Sequence, residues 1–181
     1  LMEREQSLLS KLVAIGGMER QESFEIQAKA RVTDAQKVIE VLQQNPFRIM
    51  RHVHYQQYDT YFLFGESEDH QLRIREDDLI DAEGRVENVR YRLTLLGPAK
   101  EKEFAGSILL SRSRYLAPSP HTLRFYREYF VPEEEREVEK DRLRWQVSFR
   151  GVELYVNLDR LDSPDLGTFV EVKSRTWSQR D

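Results

Sequence analysis

The residues most suited to chemistry in this sequence are charged side chains that recur at every second position of short, strand-like segments. The first such segment spans residues 25–32, and a strand turns alternate side chains to the same face. One face of this segment is therefore polar, and it carries Glu25, Gln27, Lys29 and Arg31. Several charges on one strand face are costly in a dry core. The pattern is typical of a solvated cavity that binds an anion.

Later segments repeat this alternation of charged and apolar residues. If these strands closed into a barrel with the charged faces inward, about nine cations and three carboxylates would line its interior. The alternative is that the alternating charges mark the solvent face of half-exposed strands. The cations and acids concerned are Arg73 and Arg75, Arg90 and Arg92, Lys140, Arg142 and Arg144, Asp159, and Glu171 with Lys173.

Such a ring of charges has a specific chemistry. Arginine guanidinium groups bind phosphate oxygens in a bidentate manner, and lysine adds a compact positive charge. Carboxylates in the same pocket would hold a divalent metal ion that bridges phosphate oxygens. With the charged faces inward the residues would form a pocket for a polyphosphate, and periodicity alone does not decide between this and the solvent-face alternative.

The elements that must position these residues are mostly strands. Glycine, proline and acidic turn residues divide the chain into eight or nine strands and two or three helices. This arrangement predicts an α+β fold built on a closed antiparallel sheet. Helices are predicted over 1–16, 34–44 and 120–130. Strands are predicted near 23–33, 48–56, 59–64, 71–76, 88–96, 105–111, 138–149, 152–159 and 168–175.

Composition narrows the class of protein. The 181 residues are enough for one sizeable core, with residues 23–181 as the main domain and 1–22 as a lead-in helix or a tether to another domain. The absence of cysteine excludes disulfides and thiolate chemistry. A net charge of −4 argues against binding to double-stranded nucleic acid. With no apolar run long enough for a membrane span and no signal-peptide pattern, a cytoplasmic protein without a membrane partner is expected.

Five segments resemble the CYTH family, also called triphosphate tunnel metalloenzymes. Its members include thiamine triphosphatases, inorganic tripolyphosphatases and class IV adenylate cyclases. The resemblance covers about residues 23–175 in the right order and implies a closed, eight-stranded antiparallel barrel with a few flanking helices, enclosing a triphosphate. The segments are Glu25–Arg31, Asp59–Phe62, Leu72–Arg75, Leu158–Asp159 and Leu166–Glu171.

The resemblance also implies roles for individual residues. Glu25, Asp159 and Glu171 would bind Mg²⁺ or Mn²⁺, and Glu25 with Lys29 would be catalytic. The phosphate-binding cations carried over by position are Lys29, Arg31, Arg73, Arg75 and Arg142. The alternating strands add Arg90, Arg92, Lys140 and Lys173 to this set.

The chain departs from the family pattern at several positions. Gln27 and Lys173 stand where the family has acids, Leu96 stands where it usually has a lysine, and Arg112-Ser113-Arg114 replaces an arginine-then-acid pattern. Each lost carboxylate removes a charged metal ligand. Three functions therefore stay open: a metal-dependent triphosphatase, a triphosphate- or nucleotide-binding module that has lost the full metal site, and, well behind these, an adenylate cyclase.

Overall fold

A computed structural model describes residues 24–64, 71–96, 100–104, 108–112, 115–118 and 123–176. The helix or tether predicted over 1–22 lies outside the described residues. Most of the described chain is β-strand. The strands are β1 (Phe24–Val32), β2 (Phe47–Leu63), β3 (Gln71–Ile80), β4 (Val86–Leu96), β5 (Lys100–Phe104), β6 (Ile108–Arg112), β7 (Tyr115–Pro118), β8 (Glu134–Phe149), β9 (Val152–Ser163) and β10 (Gly167–Thr176).

The strands form one antiparallel sheet in the order β5-β6-β1-β10-β9-β8-β2-β3-β4-β7. Seven of them are nine residues or longer, and β5, β6 and β7 are short additions at the two edges. The predicted closed barrel of eight strands is therefore wrong in its count. It is also wrong in its closure, because no hydrogen-bonded pairing joins β5 to β7 within the described parts of the chain. The sequence after β4 reads Gly97-Pro98, and proline has no N–H to donate to a neighbouring strand.

The first helix, α1 (Ala35–Leu42), begins where the sequence predicts it. The Asp34 side chain caps it by accepting hydrogen bonds from the backbone N–H groups of Gln36 (3.1 Å) and Lys37 (3.3 Å). Its apolar side packs on β8, β9 and β10 through a core of buried side chains. These are Leu42, Trp145, Val147, Val156 and Leu158.

The second helix, α2 (Leu123–Phe130), covers the same side of the sheet over β2 and β3. Its Tyr126 packs with Phe62 of β2 and Ile74 of β3 in a separate apolar cluster. Both helices therefore lie against the apolar faces of the strands and leave the opposite, charged face uncovered by either. Neither helix is long and apolar enough to cross a membrane.

Charged side chains on that opposite face are nevertheless buried. Asp59 is 2% exposed, Arg75 5% and Asp159 1%. Arg90 of β4 donates a hydrogen bond of 3.2 Å to Tyr55 of β2 although β3 separates their strands in the sheet. Because no described helix covers this face, we attribute the burial to a sheet that curves around it and encloses it.

Candidate functional site

The charged face of the curved sheet is the candidate site, and we call it the polar channel. Strand register places its residues opposite one another: Lys29 of β1 faces Glu171 of β10, and Asp59 of β2 faces Arg75 of β3. The charged side chains of this face include ten cations and four carboxylates along its central part. They are Lys29, Arg31, Arg73, Arg75, Arg90, Arg92, Lys140, Arg142, Arg144, Lys173, Asp59, Asp77, Asp159 and Glu171.

Asp59 holds two cations at the centre of the polar channel. Arg75 donates to both of its carboxylate oxygens, at 2.5 and 2.6 Å, and Lys140 Nζ donates to Oδ2 at 3.1 Å. Burial alone would raise the pKa of Asp59, but the bonds and charges of these two cations hold it well below its usual range. Burial, together with the nearby charge of Arg75, lowers the pKa of Lys140 to about 7.

Arg142 organises a second cluster. It donates to the two carboxylate oxygens of Asp159 at 2.6 and 2.5 Å and reaches Glu171 at 3.5 Å. Glu171 also accepts a hydrogen bond of 2.9 Å from Asn157 and lies 3.3 Å from Lys173 Nζ. Burial raises the pKa of Glu171, but the charges of Lys173 and Arg142 outweigh it and lower the pKa to about 2.

Asp77 completes the set of paired carboxylates. It accepts hydrogen bonds from the amide of Gln57 and from the guanidinium of Arg92, and it is 1% exposed. Each of these four carboxylates, Asp59, Asp77, Asp159 and Glu171, thus holds at least one cation of the same face.

Two half-buried arginines donate no hydrogen bond to a carboxylate among the described residues. Arg73 donates to the Thr94 hydroxyl at 3.1 Å, and its Nε has no hydrogen-bond partner there. Arg144 donates to the side-chain oxygen of Asn157 at 2.8 Å and lies 5.8 Å from the ring centre of Tyr55. Burial, with a neighbouring arginine in each case, lowers the pKa of both guanidinium groups to about 10. A negatively charged ligand would give each of these groups a counterion.

Exposed cations lie at the ends of the polar channel. Lys29 Nζ lies 5.0 Å from the ring centre of Phe169, and Arg90 donates to the hydroxyl of Tyr55 at 3.2 Å. Arg31 packs its guanidinium against Gly167, where a Cβ atom would meet it at 3.0 Å. Because exposed cations draw anions from solution, these residues suit the entrances of the channel.

The structure brings the predicted phosphate-binding cations together on one face, but it does not assemble the predicted metal site. Asp159 and Glu171 are both bound by Arg142, and the side chain of Glu25 lies outside the described part of the structure. Within the described ranges, no three acidic or histidine side chains form a group that could hold a metal ion. The described residues therefore do not fit Mg²⁺ or Mn²⁺.

Sequence reasoning missed part of this network. Asp59 and Asp77 were not among the predicted site residues, although each lies two positions from another residue of the channel face on its strand. Gln57 and Asp59 are two positions apart, as are Arg75 and Asp77, so each pair shares a strand face. This spacing could have identified both carboxylates as residues of the channel face. Alternation predicts which face a residue shares, whereas its partner depends on the register of the neighbouring strand.

An apolar cavity of about 620 Å³ lies on the other side of the sheet. It opens between α1 and the outer faces of β9 and β10, and Val38, Leu42, Val156 and Val172 line it. Its lining is mostly apolar, and Arg31 borders it as well.

Comparisons with known proteins agree with this architecture. The PH1012 protein from Pyrococcus horikoshii OT3 matches with 16% identity over 86% of this chain and 81% of its own, at a TM-score of 0.55. A chain of the Schizosaccharomyces pombe Mediator head module matches with 12% identity over 89% of this chain and 86% of its own, at a TM-score of 0.53. The chain has the CYTH fold.

Other comparisons add no functional detail to the CYTH fold. A putative adenylate cyclase from Vibrio parahaemolyticus matches with 15% identity over 90% of this chain and 80% of its own, at a TM-score of 0.49. No family model and no curated protein matches this sequence. Since all the identities are low, the likeness establishes the fold, and the function must be argued from the polar channel.

Proposed function

We propose that this chain binds triphosphate-containing anions in the polar channel. The observation that carries the proposal is the pair of half-buried arginines, Arg73 and Arg144, that donate no hydrogen bond to a carboxylate among the described residues. A guanidinium that is partly withdrawn from water and has no bonded carboxylate is poorly compensated, and phosphate oxygens would supply the charge and the hydrogen bonds that it lacks.

The distribution of charge supports a ligand with several phosphates. Cations outnumber carboxylates on the channel face, and they extend from Lys29 on β1 to Arg92 on β4. A single phosphate can contact only a few of them at once. A linear triphosphate offers a row of anionic groups that can contact cations from several strands together.

Metal-dependent hydrolysis of the terminal phosphate is the further activity that the family resemblance implies, and cyclisation of a nucleotide is a third. Both chemistries use a divalent metal held by carboxylates. Because the carboxylates of the polar channel are occupied by cations such as Arg75 and Arg142, binding is the function that this geometry supports best.

The proposal is tested by titrating the protein calorimetrically with phosphate, pyrophosphate and tripolyphosphate at constant ionic strength. Affinity is expected to rise at least tenfold with each added phosphate, because each one contacts further cations. Phosphate release from tripolyphosphate and from ATP, with Mg²⁺ and with Mn²⁺, is measured in parallel. Binding without release supports a binding module, and binding with release supports a triphosphatase.

Two outcomes would overturn the proposal. Equal, weak affinity for phosphate and tripolyphosphate would mean that the cations do not act together on one ligand. Tight binding that persists unchanged in molar salt would mean that charge does not drive it, since salt screens exposed and partly exposed charges.

A further inference from the structure

We propose that the polar channel takes its triphosphate free of divalent metal, with its own carboxylates serving as fixed counterions for the arginines. This inference rests on the proposed function and names the form of the ligand. It departs from the metal-bound ligand that the family resemblance implies.

The first argument is that the carboxylates are already bound. Asp159 has both oxygens bonded to Arg142, and Asp59 has both bonded to Arg75. A metal ion would have to displace these guanidinium groups from carboxylates that are almost fully buried. That exchange would leave buried arginines without their counterions, which is strongly unfavourable.

The second argument concerns the position of Lys173. Its Nζ lies 3.3 Å from Glu171, on the strand position that faces Gln27 of β1. Both positions are those where the resemblance leads one to expect acids. An ammonium group at this distance from Glu171 repels a divalent cation and already neutralises the carboxylate that would bind it.

The third argument concerns the charge of the ligand. A metal-free triphosphate presents its full negative charge to a channel in which cations outnumber carboxylates, and a bound divalent ion cancels part of that charge. The attraction between channel and ligand therefore falls when the ligand carries metal. Mg²⁺ should compete with the protein for the ligand.

The test is a calorimetric titration with inorganic tripolyphosphate in EDTA and in excess Mg²⁺, with NaCl added to the EDTA buffer to equalise ionic strength. We expect the dissociation constant to be at least tenfold larger in Mg²⁺. Binding that requires Mg²⁺, or is equally tight in both buffers, would overturn the inference and leave the proposed function standing. No binding in either buffer would overturn the proposed function itself.

A charge-matched pair of variants tests the cause. Lys173→Glu restores an acid beside Glu171, and Arg160→Glu makes the same change of charge at an exposed residue on the outer face of β9. Lys173→Glu is expected to reduce the weakening by Mg²⁺ at least threefold, and Arg160→Glu is expected to keep it.

If Lys173→Glu does not fold, Lys173→Gln replaces it, because this variant removes the cation without adding a like charge beside Glu171. Lys173→Gln is then expected to reduce the weakening of binding by Mg²⁺, but by less than Lys173→Glu would. If neither variant at position 173 differs from Arg160→Glu, Lys173 is not the residue that disfavours the metal and the second argument is wrong.

Discussion

Arg142 and Asp159 face each other across β8 and β9 and are joined by two hydrogen bonds, of 2.6 and 2.5 Å, with both side chains buried. The sequence predicts separate roles for them, a phosphate contact for Arg142 and a metal contact for Asp159. The pairing means that the carboxylate already compensates a buried positive charge before any ligand binds.

Replacing Asp159 with Asn is expected to destabilise the protein by about 3–5 kcal/mol, because it leaves the buried charge of Arg142 without its main counterion. Urea denaturation in EDTA measures this loss. The matched control is Asp162→Asn, which removes a carboxylate from an exposed pair with Arg160 on the same strand. The control is expected to change the stability by less than about 1 kcal/mol.

The opposite result has a clear meaning. A carboxylate that the fold keeps only to bind metal would be repelled by its acidic neighbours in EDTA. Its replacement would then stabilise the protein, and such a gain with Asp159→Asn would contradict the role of Asp159 as a counterion.

Lys140 predicts a pH dependence of stability. Its pKa in the folded protein is about 7, against 10.5 for an ordinary lysine, since burial and Arg75 disfavour its charge. Between these two values the unfolded chain binds more protons at this residue than the folded chain does. The free energy of unfolding should therefore rise as pH increases from about 7 towards 10.

Urea denaturation at several pH values measures this rise. Lys140→Met is expected to remove the share of the slope that comes from residue 140, and Lys37→Met, at an exposed position of α1, is expected to keep it. A slope that is identical in Lys140→Met and the unmodified protein would show that Lys140 titrates normally in the folded state.

Gly167 and Gly84 form a matched pair for testing the position of Arg31. Both have positive φ, +84° and +79°, so alanine at either position costs about 1–2 kcal/mol of backbone strain. An added Cβ meets the Arg31 guanidinium at 3.0 Å at Gly167 and meets nothing within 4 Å at Gly84. Only Gly167→Ala is therefore expected to weaken tripolyphosphate binding.

Calorimetric titration of the two variants, each with its unfolding curve, separates the effects. Similar losses of stability with different losses of affinity would place Arg31 at the ligand. Equal affinities in the two variants would show that the position of Arg31 does not matter to binding.

The sequence predicts much of the fold because its signals are local. Alternation places Arg73 and Arg75 on one face, and Asp34 caps α1 where the sequence predicts a helix start. The number of strands was harder to predict. The break predicted between residues 56 and 59 is absent, and β2 runs without interruption from Phe47 to Leu63. Its side chains pair with β3 and β8 along that length, and these long-range pairings outweigh local preferences.

The ion-pair partners within the polar channel were the hardest feature to predict from the sequence. Alternation gives the face of Arg142 but not its ion pair with Asp159, because the ion pair depends on the register of β8 against β9. Charges that suit a phosphate ligand suit an internal carboxylate equally well. Only the geometry shows which cations are already paired and which, such as Arg73, are not paired with a described carboxylate.

The most direct test of the central claim is a calorimetric titration of tripolyphosphate in EDTA against the double variant Arg73→Ala, Arg144→Ala. The control is Arg160→Ala, which removes a guanidinium from the outer face of β9. Loss of two phosphate contacts is expected to weaken binding at least a hundredfold in the double variant, and the control should stay within about threefold of the unmodified protein. Equal affinities in the double variant and the control would contradict triphosphate binding in the polar channel.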